Sequence, residues 1–157
     1  QWNLGFNANY SLQDDKTESD YDTSNQTYSF IPTYYSETLS FSPNLTFNRS
    51  TDETTDVDTD TLTATIDLRG TLADGVVSYE LAGTFNRMEN SEDTMEMDMY
   101  SANAQLAYHF LQEWAGFLNP SIGVRGLYNR TNDKVSDQDD DEFALFLVLS
   151  SSMGFAF

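Results

Sequence analysis

Trp2-Asn3-Leu4-Gly5-Phe6-Asn7-Ala8-Asn9-Tyr10-Ser11-Leu12-Gln13 opens the chain and decides its fold. The even positions are apolar and the odd positions are small or polar. Side chains of a strand alternate between two faces, so this stretch predicts a two-sided β-strand. The same alternation returns seven more times. Tyr28, Phe30, Pro32 and Tyr34 share one face; so do Leu39, Phe41, Pro43, Leu45 and Phe47. Leu62, Ala64, Ile66 and Leu68 follow, then Val77, Tyr79, Leu81, Gly83 and Phe85. The sixth segment offers Tyr100 to Phe110 at even positions, the seventh Ile122 to Tyr128, and the eighth Phe143, Leu145, Leu147 and Leu149, broken at Ser151.

The connections alternate in length. Long acidic stretches at 14–25, 50–60, 88–98 and 131–142 follow odd segments and hold 21 of the 26 acidic residues. They are expected to be loops. Shorter links lie near Ser36–Glu37, Ala73–Gly75 and Leu111–Asn119. In an up-and-down arrangement the long loops then emerge at one rim and both termini at the other. A turn at Glu37–Thr38 sets Tyr34 opposite Phe41, Phe30 opposite Leu45 and Tyr28 opposite Phe47. It also sets Pro32 opposite Pro43, where a bulge or lost hydrogen bonds are expected, since Pro cannot donate to a ladder.

Composition narrows the function. Seven basic residues face 26 acidic ones, a net charge of −19. A nucleic-acid binder needs a basic surface, so that class is excluded. No cysteine is present, which removes disulfides and thiolate metal sites. The longest apolar run, Phe143 to Leu149, is far short of the roughly 20 residues of a membrane-crossing helix. A strand crosses with about 9–11 residues and meets lipid only at every second one.

Two architectures fit eight alternating segments: a soluble barrel or sandwich with the apolar face inside, or a membrane barrel with that face outside. The polar face discriminates. It is Asn, Ser, Thr, Gln and Gly, small and almost uncharged, suited to a narrow barrel interior rather than to water. The expectation is therefore an all-β, closed antiparallel up-and-down transmembrane barrel of eight strands. Short turns lie on the periplasmic side and long acidic loops on the extracellular side, with residues 1–157 as one domain, or as the C-terminal part of a longer chain. Backbone groups in hydrocarbon must all be paired, so such a sheet has no free edge.

The pattern as a whole resembles the bacterial outer-membrane β-barrels, in particular the small eight-stranded OmpA-type class. The most specific element is the ending Ser152-Met153-Gly154-Phe155-Ala156-Phe157, similar to the terminal aromatic signature of that class. The resemblance implies an integral outer-membrane protein of a Gram-negative bacterium with periplasmic termini. It also implies assembly by the barrel insertion machinery and contact with outer-membrane lipid and lipopolysaccharide.

Several groups could carry function. Phe47-Asn48-Arg49, Phe85-Asn86-Arg87 and Tyr128-Asn129-Arg130 each end an upward segment. Their aromatics, with Trp2, Trp114, Phe155 and Phe157, are expected in an interfacial aromatic girdle. Arg49, Arg87 and Arg130 would then meet lipopolysaccharide phosphates, or simply pair with nearby acids. The interior charges Asp67, Arg69, Glu80 and Arg125 are expected to form a network. A turn at Ala73–Asp74 would set Asp67 opposite Glu80, with Arg69 diagonal to both. Such a network either plugs the barrel or gates it. Asp56, Asp58, Asp60, Asp139 and Asp141 offer weak calcium binding without the spacing of a calcium loop. No other cofactor is expected. His109, the only histidine, has no catalytic partner in its local sequence, and Met95, Met97 and Met99 read as packing rather than a metal or redox site. The functional expectation is a non-enzymatic structural or interaction protein that presents acidic surface loops, possible surface proteins among its partners. A passive channel for small or apolar solutes is the alternative. A lipid-modifying enzyme, needing a nucleophile, a base and an orienting acid, comes last.

Overall fold

The structure, a computed structural model, describes residues 1–13, 22–110 and 117–153. It is all-β and antiparallel. The strands are β1 (Trp2–Gln13), β2 (Thr23–Tyr35), β3 (Leu39–Phe41), β4 (Asn44–Asp52) and β5 (Val57–Leu72). They continue with β6 (Val77–Asn90), β7 (Glu96–His109), β8 (Phe117–Asp133) and β9 (Gln138–Met153). Each pairs with its neighbour in sequence, β3 and β4 sharing one position between β2 and β5. The result is one meandering sheet eight strands wide. Among the described residues β1 and β9 are its two lateral edges and are not paired to each other.

The split between β3 and β4 falls at Ser42–Pro43. Ser42 and Asp67 still exchange both backbone hydrogen bonds, at 2.8 and 3.2 Å. The expected pairs Tyr34–Phe41, Phe30–Leu45 and Tyr28–Phe47 form on either side of the break. Proline has thus cost ladder bonds without shifting the register.

Three of the four acidic stretches are not long loops. β4 runs to Asp52 and β5 starts at Val57, so only residues 53–56 turn; the other two turns are residues 91–95 and 134–137. The first stretch lies largely outside the described residues. Local turn chemistry explains the closures. Asp52 Oδ1 accepts the N–H groups of Thr54 and Thr55 at 2.9 and 3.2 Å. Asp133 Oδ1 does the same for Val135 and Ser136 at 3.0 and 3.1 Å. Asn90 Oδ1 serves Thr94 and Met95. Each turn contains an aspartate with positive φ: Asp56 (57°) and Asp137 (54°) as the last turn residue and Asp93 (55°) in mid-turn. Asp and Asn side chains mimic a backbone turn and tolerate this region. Part of the acidity is therefore turn-forming.

The turn after β5 also differs from expectation. It takes four residues, 73–76, with positive φ at Ala73, Asp74 and Gly75. The register accordingly sets Arg69 opposite Glu80 and Asp67 opposite Ala82.

Candidate functional site

Register alone assembles one continuous apolar surface. One row crosses the whole sheet: Trp2, Tyr34, Phe41, Leu68, Leu81, Ala104, Gly126, Leu145, each directly opposite the next. Below it run Leu39, Gly70, Tyr79, Leu106, Val124 and Leu147. Gly70 has its place for a physical reason. The Tyr79 ring lies across it, so an added Cβ would stand 2.6 Å from the Thr38 carbonyl oxygen and closer still to Tyr79 Oη.

Nothing in the described protein covers this face. Leu4, Phe6 and Leu149 on the edge strands are 74, 73 and 72% exposed, and Leu106 on β7, which is paired on both sides, is still 57% exposed. Ala107 is the one buried hydrophobic residue among those described. The chain exposes 11184 Å², whereas a compact chain of this mass exposes about 8,000 Å². The other face carries Asn7, Ser29, Thr46, Thr63 and Asn86 in one row, and Asn9, Thr27, Asn48 and Thr61 in the next. Ile31, Leu127 and Phe146 also lie on that side, Phe146 opposite Arg125.

The apolar face ends in a sharp upper border. The last apolar residue is Leu12 on β1, Tyr28 on β2, Phe47 on β4, Leu62 on β5, Phe85 on β6, Tyr100 on β7, Tyr128 on β8 and Phe143 on β9. The border is rich in aromatic rings, and Phe85 and Tyr100 lie 5.0 Å apart between centroids. Trp2 and Tyr34 mark the lower side at 4.9 Å. Trp114, Phe155 and Phe157 lie outside the described residues. Immediately above the border, on the same face, sit Arg49, Asp60, Arg87, Asp98, Arg130 and Asp141.

The border is oblique to the strand pairing. The row through Leu145 reaches β1 at Trp2, so the level of Phe143 falls at Leu4. Leu12, the border residue of β1, stands eight residues above that level. Band width along a strand is ten residues on β1 (Trp2 to Leu12) and on β5 (Leu62 to Leu72).

Each of the three expected arginines is held by carboxylates of the same face. Arg49 makes a two-pronged contact with Asp60, its Nε donating at 2.7 Å, and lies 6.0 Å over the Phe47 ring. Arg87 bridges Glu89 at 2.7 Å and Glu96 at 3.1 Å. Arg130 pairs with Asp139 at 3.0 Å, and Lys134 joins Glu96 and Asp98 at 2.7 and 3.1 Å. Cation and acid thus alternate along the border.

The charges of the polar face form a smaller network than expected. Arg69 pairs with Asp67 at 2.7 Å and faces Glu80 across the ladder. Arg125 instead donates to Asn103 Oδ1 at 3.1 Å. The expected calcium residues are not brought together. Asp56, Asp58 and Asp60 belong to the β4–β5 hairpin, while Asp139 and Asp141 lie on β9, across β6, β7 and β8. Among the described residues no group of three or more His, Cys, Asp or Glu side chains is placed to hold a metal ion.

Ser78 is the residue that sequence reasoning missed. Its Oγ lies 2.8 Å from His109 Nε2 on the polar face. Among the described residues no carboxylate binds the other ring nitrogen, so the pair lacks the orienting acid that nucleophilic catalysis uses. The β6–β7 register, which pairs Val77 with Tyr108 and Ser78 with Ala107 and follows from the turn at 91–95, brings the two together. Comparison of the chain with known protein families, with curated proteins and with solved structures finds no match.

Proposed function

We propose that the chain is an integral outer-membrane β-barrel whose apolar face meets lipid, closed by pairing β1 with β9, and that it serves as a non-enzymatic surface protein displaying acidic hairpin ends. The observation that carries this reading is the uncovered apolar band with its oblique charged border. In a barrel the border is level with the membrane, so its drift across the sheet equals the stagger of the closing register. A drift of eight residues corresponds to a shear of eight on eight strands. Closure then sets Leu12 opposite Phe143, Tyr10 opposite Leu145, Ala8 opposite Leu147 and Phe6 opposite Leu149. Every pair is apolar on apolar. A closure with no stagger would set Phe6 against Asp141.

The dimensions agree. Eight strands with a shear of eight tilt by about 36°. Ten residues at about 3.3 Å each then rise roughly 27 Å along the membrane normal. Outer-membrane barrels carry an apolar band of about 25 Å. An eight-stranded barrel has an interior that side chains fill, which suits Asn, Ser and Thr and the Arg69–Asp67 pair. In this reading Arg49, Arg87 and Arg130 stand at headgroup level, and a lipopolysaccharide phosphate competes for them with their carboxylate partners. The strand ends above the border are where a cell-surface partner would bind.

The test is closure in the folded protein. Ala8→Cys with Leu147→Cys is expected to form a disulfide on mild oxidation of the vesicle-inserted chain. Ala8→Cys with Asp141→Cys is expected to stay reduced. Failure of the first pair, together with no mobility change between boiled and unboiled samples, removes the barrel.

A further inference from the structure

Four of the five methionines lie together on the polar face near the acidic end of β6 and β7. Met97 and Met99 are alternate residues of β7, so both point to the polar side. Met88 on β6 is the direct partner of Met97. Met95 continues the same ladder, its carbonyl accepting the Asn90 N–H at 3.0 Å. All four are half-buried. The stretch Met95-Glu96-Met97-Asp98-Met99 therefore separates its residues by chemistry. The acids go to the outer charged border and the thioethers to the inner face.

Ordinary packing does not account for them. Methionine fills gaps among apolar neighbours. Here, apart from the Met88–Met97 pair itself, the direct partners are polar: Thr61 beside Met88, Asp133 beside Met97, and Asn86 and Thr131 beside Met99. A second observation stands at the same place. Asn86 Oδ1 is buried and has no hydrogen-bond partner among the described residues. An orphaned carbonyl oxygen is an acceptor without a donor, and a cation satisfies it.

Donor chemistry selects the cation. A thioether is neutral and soft. Calcium and magnesium take hard oxygen ligands, whereas methionine sulfur selects copper(I) and similar soft ions. Flanking residues on one strand stand about 6.7 Å apart, and direct partners across an antiparallel ladder about 4.5–5.5 Å. Flexible methionine side chains span such gaps to a shared ion.

We propose that Met88, Met97 and Met99, with Met95 at the rim, form a binding site for a soft monovalent cation, copper(I) or silver(I), with Asn86 Oδ1 as an additional oxygen donor and the Asp133 carboxylate offsetting the charge. The site needs only the registers of β6, β7 and β8 and does not depend on how the sheet closes.

Silver(I), which needs no reductant, is the probe. Titration of the detergent-folded full chain with silver nitrate in chloride-free buffer is expected to show one ion bound per chain. Excess calcium is expected to leave it in place. Met88→Leu with Met97→Leu conserves volume and is expected to weaken binding at least tenfold, while Met153→Leu stays within twofold of wild type. Wild-type affinity in the double variant, or no saturable binding at all, overturns the proposal. Should the double variant fail to fold, X-ray absorption on the silver-loaded wild type decides. Two or more sulfur neighbours support the site, and a shell of oxygen and nitrogen alone overturns it.

Discussion

Substitution of Leu81 by Arg reads directly which medium covers the apolar face. Leu81 lies midway along the β6 band, four residues from Phe85 above and four from Val77 below. At about 3.3 Å per residue and a tilt near 36°, that is roughly 11 Å from either border. Leu81 is 47% exposed in the bare sheet, with Leu68 and Ala104 as its ladder partners and no acid opposite. An arginine near the midplane of a membrane barrel costs about 2–4 kcal/mol, falling to about 0–1 at the interface. Leu62 supplies the interface comparison, because it sits at the border beneath Asp60 with Arg87 opposite. Leu81→Arg is therefore expected to lower the equilibrium constant for folding into vesicles by about 30- to 1,000-fold, and Leu62→Arg by less than about sixfold. Reversible denaturant titration of both variants in phosphatidylcholine vesicles makes the comparison. Equal losses at the two positions would refute the argument, since a protein core penalises a buried arginine at either place.

Gly70→Ala forces a Cβ to 2.6 Å from the Thr38 carbonyl oxygen and still closer to Tyr79 Oη; overpacking of this kind costs about 1–3 kcal/mol. Pairing it with Tyr79→Ala is expected to restore only part of the loss in a denaturant titration, because the carbonyl clash remains. The Asp52 and Asp133 carboxylates are held below the ordinary aspartate range, Asp52 chiefly by the N–H groups of Thr54 and Thr55, and Asp133 chiefly by the hydroxyl and N–H of Ser136. A depressed folded-state pKa makes their contribution complete above the unfolded value of about 3.9 and lost as pH falls through the lower folded value. Amide resonances of Thr54, Thr55, Val135 and Ser136 are thus expected to titrate with a midpoint below about pH 3.9, and a midpoint above that value counts against these turns. Planar-bilayer recordings are expected to stay at background for wild type and for Arg125→Ala. Discrete steps in the wild type would replace the filled interior with a channel.

Most of the fold was legible because its two faces are separated by an alternation that repeats every second residue. The alternation of Trp2 to Leu12 assigns both faces of β1 without any partner, and the Glu37–Thr38 turn sets the β2–β3 pairing correctly. The acidic stretches were harder. Asp58-Thr59-Asp60-Thr61 keeps the alternation, with acid in place of leucine, so a reading based on hydrophobicity sees a loop where the ladder continues. Asp52 and Asp133 read as surface charge although each closes a turn. The Asp67–Arg69–Glu80 pairing was displaced by two residues because the turn centres on Asp74-Gly75, one residue later than the Ala73–Asp74 turn expected from the sequence. Ser78 beside His109 is a contact across 31 residues, set by the β6–β7 register and so by the turn at 91–95.

The paired strand ends beyond the charged border have a further consequence. A protease cleaves chain that can be drawn out as a single extended segment, and exposed loop tips are its preferred sites. The hairpins at 53–56 and 134–137 expose four residues each, tied at the base by Asp52 and Asp133. They are short and tied rather than drawn out as tethers, so limited proteolysis of the folded chain is expected to leave these two tips uncut.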